Sequence, residues 1–175
     1  LSLLAAGMLP TVVTGKSAEA TFSMDGVTGS ISFFQPTDTD NTTITVNVAN
    51  LQHTPNPWHV HVFPSDRGCE AAVAGGHYNP FGIADPATCD NTNHSTCEVG
   101  DMSRKHGNLA NGVYTDTLLS LFGEYSVVGR SIVIHKVTSG DRWVCATILE
   151  TGVTLKTVTM KLQAPLQGTV TLQQD

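Results

Sequence analysis

Two imidazoles stand two residues apart in Trp58-His59-Val60-His61-Val62-Phe63-Pro64, a run of β-forming residues. In a strand, side chains at i and i+2 leave the same face, so His59 and His61 aim at one point. Imidazoles converging from a stiff strand begin a site for the metals imidazole suits, copper and zinc above all. Alone, the pair describes a solvated strand face equally well, so further ligands have to be sought along the chain. His77 lies in Gly75-Gly76-His77-Tyr78-Asn79-Pro80, and His135 ends the β-run Gly129-Arg130-Ser131-Ile132-Val133-Ile134-His135. Arg142 opens another run, Arg142-Trp143-Val144-Cys145, with a permanent cation.

The elements that must hold these residues are strands. With 175 residues, 16 Gly, 8 Pro and abundant Val and Thr, the chain has the makings of an all-β domain with many turns. Ala20, Phe22 and Met24 alternate with polar residues, Asp25-Gly26 supplies a turn, and Gly29 to Phe33 alternates again, which predicts a hairpin. Thr42 to Leu51 places Ile44, Val46 and Val48 on one face, and Trp58 to Phe63 follows the breaks at Pro55 and Pro57. Later strands are expected over Val113 to Phe122, Gly129 to His135 and Arg142 to Leu149. Short strands at this spacing predict a sandwich or barrel.

Residues 65 to 108 lack apolar periodicity and are rich in Gly, Asp, Asn, Pro and Ser. Loops this long inside a compact domain are usually functional or disordered, and the cysteines and histidines of this one favour the first. This one carries Cys69, Cys89 and Cys97, three of the four cysteines, together with His77, His94 and His106. Four cysteines allow two disulfides in three pairings. Asn41-Thr42-Thr43 and Asn93-His94-Ser95 are N-glycosylation sequons, and with the cysteines they favour an extracellular, secreted or cell-surface setting.

The ends read differently from the middle. Residues 1–17 begin Leu-Ser-Leu-Leu-Ala-Ala-Gly, consistent with the remnant of a signal peptide or with a strand from a preceding module. Residues 18–150 form the expected barrel domain. Residues 151–175 form a C-terminal hairpin in which Val158, Met160 and Leu162, then Gly168, Val170 and Leu172, echo Ala20 to Phe33 at near-constant spacing. That echo raises the expectation of a next repeat. A net charge of −6 speaks against nucleic acid as partner, and no apolar run is long enough for a membrane helix. Acyl and phosphoryl transfer find neither a nucleophile elbow nor a phosphate-cradling glycine loop.

Taken in order, His59-Val60-His61, the Gly75–Pro80 stretch, the Gly129–His135 stretch and Arg142–Cys145 resemble the copper/zinc superoxide dismutases over roughly Ala20 to Leu149. The resemblance implies a Greek-key β-barrel, flattened into an Ig-like sandwich of about eight strands, with a long disulfide-braced loop. It implies that His59, His61 and His135 are copper ligands and that His77 is the histidine bridging copper and zinc. His77 would also hand a proton to the product. Arg142 matches the arginine that guides the anion, and Cys69 and Cys145 match the conserved disulfide. Cys89 and Cys97 are then left for a second bridge.

Two departures from the family pattern stand out. In Cys97-Glu98-Val99-Gly100-Asp101-Met102, Glu98 occupies the place of a zinc-binding histidine while Asp101 is retained, and near Asp85 the other expected zinc histidine has no counterpart. Only Lys136 to Asp141 separates His135 from Arg142, where the family has a long charged loop. Both losses resemble the extracellular copper-only members. Copper is therefore the expected cofactor and zinc is not; a zinc site rebuilt from His77, His94, His106 and Asp101 is the less favoured arrangement. Without zinc something must orient His77, and Glu98, supported by Asp101, is the expected carboxylate partner. The expected function is dismutation of superoxide, with a non-catalytic copper carrier of the same fold as the alternative and a monomer or tandem module as the expected assembly.

Overall fold

The computed structural model describes residues 15–52, 54–152, 156–162 and 168–174, with backbone pairing alone for the last two stretches. The expectation for the N-terminal end therefore falls, for residues 1–14, outside the described residues.

The first hairpin pairs β1 (Lys16–Met24) with β2 (Val27–Gln35) antiparallel, turning at Asp25-Gly26. Asp25 and Gly26 both have positive φ, the backbone that a tight hairpin turn demands. β3 (Thr42–Ala49) adds to β2, β5 (Gly112–Asp116) adds to β3, and β8 (Leu149–Thr151) adds to β1, giving a five-stranded sheet in the order β5-β3-β2-β1-β8. The second sheet holds β4 (Trp58–His61), β6 (Ser131–His135) and β7 (Arg142–Thr147) in the order β4-β6-β7. The two ladders do not join into a closed barrel; the fold is a sandwich of two antiparallel sheets.

Alternation decides what lies between the sheets. Ala20, Phe22, Ile31, Phe33, Ile44 and Val46 from the large sheet meet Trp58, Val60, Ile132, Ile134 and Val144 from the small one in a single buried cluster. Because Trp58 and Val60 point into this core, His59 and His61 must point out of it.

The expected strand over residues 113 to 122 ends at Asp116. There the Asp116 carboxylate accepts hydrogen bonds from the backbone N–H groups of Leu118 and Leu119, each 2.8 Å, and bends the chain. Leu119 and Leu121 still reach the core, now from a loop. The single strand expected over Arg142 to Leu149 divides at Ile148, so that β7 stays with β6 while β8 crosses to β1. Within the 65–108 stretch are two short helices, α1 (Ala71–Ala74) and α2 (Met102–His106), and two single 3-10 turns that the sequence pattern does not announce. Disulfides join Cys69 to Cys145 and Cys89 to Cys97, the first tying this loop to β7. The tail forms an antiparallel hairpin of β9 (Lys156–Leu162) and β10 (Gly168–Gln174).

Candidate metal centre

Three backbone hydrogen bonds bring the chemically interesting residues together. Val60 N–H donates to Gly100 O (2.9 Å), Gly100 N–H to Tyr78 O (2.8 Å), and Tyr78 N–H to Val60 O (2.8 Å). These three residues come from β4, from the loop after α1 and from the loop before α2. They are flanked by His59 and His61, by His77, and by Glu98 and Asp101 respectively. A Cβ on Gly100 would lie 2.3 Å from Val60 O and 2.9 Å from Tyr78 N, so only glycine permits this approach. His135 arrives at the end of β6, just past a register shift after Ile134, and its N–H donates to Pro57 O at 2.8 Å.

The result is a cluster of His59, His61, His77 and His135 whose ligating atoms all lie within 4.8 Å of one another. The rings of His59 and His77 stack at 3.9 Å, and His59 and His135 meet edge-on at 4.9 Å. Each ring can be followed nitrogen by nitrogen. His61 Nδ1 is 3.0 Å from Gly75 O, and His135 Nδ1 is 2.9 Å from Gly140 O. A carbonyl only accepts, so these nitrogens carry the ring protons. The Nε2 atoms of both rings then present lone pairs, and they face each other at 3.4 Å. His77 gives its Nδ1 to Glu98 Oε2 at 3.1 Å, which leaves Nε2 for the cluster. His59 has Nε2 3.6 Å from Asp101 Oδ1, while its Nδ1 is buried with no hydrogen-bond partner.

Facing lone pairs and an orphaned buried nitrogen are costly unless a cation lies between them. The donor set therefore fits a metal held by His59 through Nδ1 and by His61, His77 and His135 through Nε2. All-imidazole donors suit copper.

Three of the imidazoles, those of His59, His61 and His135, are shifted toward the neutral form that a ligand needs. Burial, with the charges of His77, His135, His61 and Arg104, lowers His59 to about 2. Burial lowers His61 to about 4, against the Gly75 carbonyl, which favours the charged form. His135 is lowered by burial and, less, by His77 and Arg142, with the Gly140 carbonyl opposing. Unfolded histidine takes up its proton near 6.5, so between that value and the folded ones the unfolded chain binds more protons. The stability these groups lend is fully present above 6.5 and is lost as pH falls below it. The thermal midpoint of the copper-free protein should thus fall from about pH 7 to about pH 4, and His61→Ala should flatten that slope. A midpoint constant over this range would contradict the assignment.

Second contacts steady the cluster. Asn79 Nδ2 donates to Glu98 Oε1 at 3.2 Å, so each carboxylate oxygen of Glu98 has its own partner. Arg142 lies beside the cluster, paired with His135 in the ladder, and its guanidinium donates to the carbonyls of Cys69 (3.0 Å) and Gly75. Asp101 stands against His59 rather than beside Glu98, and it caps α2 by accepting from Arg104 N–H at 3.1 Å. His94 and His106 do not approach His77 or Asp101. They gather around Asp116, with His106 Nε2 2.9 Å and His94 Nδ1 3.5 Å from its oxygens, and Lys105 Nζ is 2.6 Å from the same carboxylate. Asn41 and Asn93 are both exposed. Asn79, Arg104, Lys105 and Asp116 are missing from the residues singled out in the sequence. The strict i+2 spacing that marks His59 and His61 has no counterpart for contacts made between loops.

The chain is similar to known proteins. The chain is 35% identical over 112 residues to "Superoxide dismutase [Cu-Zn]" of Saccharomyces cerevisiae, covering 63% of this chain and 71% of the relative. It is 33% identical over 123 residues to "Superoxide dismutase [Cu-Zn] 5" of Dictyostelium discoideum, covering 68% and 77%. Superoxide dismutase 5 of Candida albicans, solved with Cu(II), superposes with a TM-score of 0.70 at 27% identity, over 81% of this chain and 95% of that one. Residues 27–148, which include all four histidines, match the family described as copper/zinc superoxide dismutase. The chain belongs to the copper/zinc superoxide dismutase family.

Proposed function

We propose that this protein is a copper-dependent superoxide dismutase that works without zinc, outside the cell. The observation that carries the reading is the contact between His77 Nδ1 and Glu98 Oε2 at 3.1 Å within the four-histidine cluster. Where family members would place zinc on the far nitrogen of this ring, a carboxylate of the chain itself already holds that nitrogen. The histidines that could otherwise rebuild a zinc site, His94 and His106, are taken up by Asp116 and share it with the ammonium of Lys105.

Copper bound by His59, His61, His77 and His135 supplies the one-electron couple that turns two superoxide anions and two protons into oxygen and hydrogen peroxide. The chain's own groups do the rest. Glu98, fixed by Asn79, holds the Nδ1–H tautomer of His77 and keeps its Nε2 directed at the cluster. Nε2 can then carry a proton to the product while Glu98 stabilises the doubly protonated ring. Asp101 orients His59 from its Nε2 side. Arg142, held by two carbonyls, presents a fixed positive charge to an anion in a chain of net charge −6. The connection from β6 to β7 is a short turn over residues 136 to 141, whose Gly140 carbonyl holds His135 Nδ1.

An extracellular setting is supported by the Cys69–Cys145 and Cys89–Cys97 disulfides and by exposed Asn41 and Asn93, whose sequons would be open to glycosylation. Residues 18–150 are the dismutase domain in this reading. The hairpin β9–β10 is the start of a further repeat, with a monomer or tandem module as the assembly.

A superoxide decay rate per copper atom in copper-loaded, zinc-free protein is expected to approach roughly 10⁸–10⁹ M⁻¹s⁻¹, the diffusion ceiling. Tightly held copper with a rate no better than that of copper in a simple histidine peptide would favour the carrier. Added zinc raising the rate would overturn the zinc-free part.

A further inference from the structure

We propose that Arg104, on the exposed side of α2, is a second anion-guiding cation of the site, acting beside Arg142. The inference rests on the dismutase reading above and extends it to substrate capture. The cluster lies in an unfavourable field for an anion. Two carboxylates, Glu98 and Asp101, are buried against His77 and His59, at 9% and 3% exposure, and the whole chain is acidic. Arg142 offsets one of these charges. Of the other nearby cations, Lys105 is buried and spent on Asp116 and Val99 O, and Arg130 is spent on the Tyr78 ring and the Val62 and Ser126 carbonyls.

Arg104 is placed differently. Its Nε lies 3.3 Å from Asp101 Oδ2, while Oδ1 of the same carboxylate lies 3.6 Å from His59 Nε2. The guanidinium is thus one carboxylate away from an imidazole of the cluster, yet its side chain remains 48% exposed. With Arg104 in place the Asp101 pair is neutral from outside; without it the carboxylate would repel the substrate. The cap on α2 uses the backbone N–H of Arg104, so substituting the side chain leaves the helix start intact.

Superoxide decay per bound copper should be measured for the wild type and for Arg104→Lys, Arg104→Gln and Arg104→Glu across ionic strength. Thermal midpoint and copper content are taken in parallel. At low salt we expect Arg104→Lys to match the wild type, Arg104→Gln to fall about threefold and Arg104→Glu about tenfold. The curves should converge near about 1 M salt, where the screening length is only about 3 Å. A second readout needs no turnover: azide, a small anion, titrated into the copper(II) form should bind in the same order with the same salt dependence. Equal rates and azide affinities in all four proteins would overturn the inference. So would a loss that is independent of salt and not rescued by lysine, because Arg104 would then only position Asp101. A silent wild type that binds azide in this order would instead sink the dismutase reading and leave the guiding role standing.

Discussion

Glu98→Gln is expected to lower the superoxide decay rate about 10- to 100-fold, the usual cost of losing the carboxylate behind a metal-binding histidine. Glutamine keeps the shape and can still accept from His77 Nδ1–H through its amide oxygen, so the fold and the copper content should be preserved. What goes is the negative charge that, on the proposed mechanism, would stabilise a doubly protonated His77. The two half-reactions should therefore separate. Oxidation of the first superoxide needs no proton and should slow little. Reduction of the second needs protons delivered and should carry the loss, growing with pH as solvent protons become scarce. Asn79→Ala should produce a weaker version, because the Asn79 amide steadies the other oxygen of Glu98 at 3.2 Å. Pulse radiolysis, which follows the half-reactions separately, makes the check. An unchanged rate at every pH would show that Glu98 is an ordinary loop carboxylate, and a loss equal in both half-reactions would point to altered copper binding instead.

The part of this site legible in the sequence is the part set by local geometry or by motif order. The period of two over Trp58 to His61 fixes which side chains face the core, and so dictates that His59 and His61 share the other face. The first hairpin is equally local: Asp25-Gly26 is a turn by backbone chemistry alone. His77, His135 and Arg142 could not be joined to that pair by spacing, since nothing local says that Val60, Tyr78 and Gly100 will bond to one another. Motif order supplied what periodicity could not. The same limit explains the strand expected over residues 113 to 122. Leu119 and Leu121 do enter the core, but the backbone turns at Asp116 because a buried carboxylate there claims two N–H groups. The value of that carboxylate depends on Lys105 and His106 from α2 and on His94 from further up the chain, and no window around Asp116 contains His94.

The Asp116 cluster should be the most sensitive polar feature of the fold. Asp116 is fully buried and accepts from Lys105, His106, Leu118 and Leu119, with His94 adjacent. Burial alone would raise its carboxyl; the hydrogen bond from His106, the neighbouring His94 and the charge of Lys105 outweigh it and hold the group well below the usual carboxylate range. Lys105 in turn is fully buried, with Val99 O as its other partner. Asp116→Ala would strand that ammonium, and breaking a buried pair from one side costs about 3–5 kcal/mol. Against a total stability of about 5–15 kcal/mol for a domain, this is enough to leave an appreciable unfolded fraction. The loss should appear in denaturant unfolding of the copper-free protein as a lower midpoint. Removing the charge as well, in Asp116→Ala with Lys105→Met, should restore a substantial part of the stability, because an apolar pair of similar volume is often as good as a buried ion pair. A single-variant cost below about 1 kcal/mol would mean that water reaches Lys105 after all. If the double variant were worse than the single, the cluster's value would lie in its hydrogen bonds to the backbone rather than in charge. His94, held by Asp116 inside the Cys89–Cys97 ring, would then be the next residue to vary, because the chain runs from it directly to Glu98.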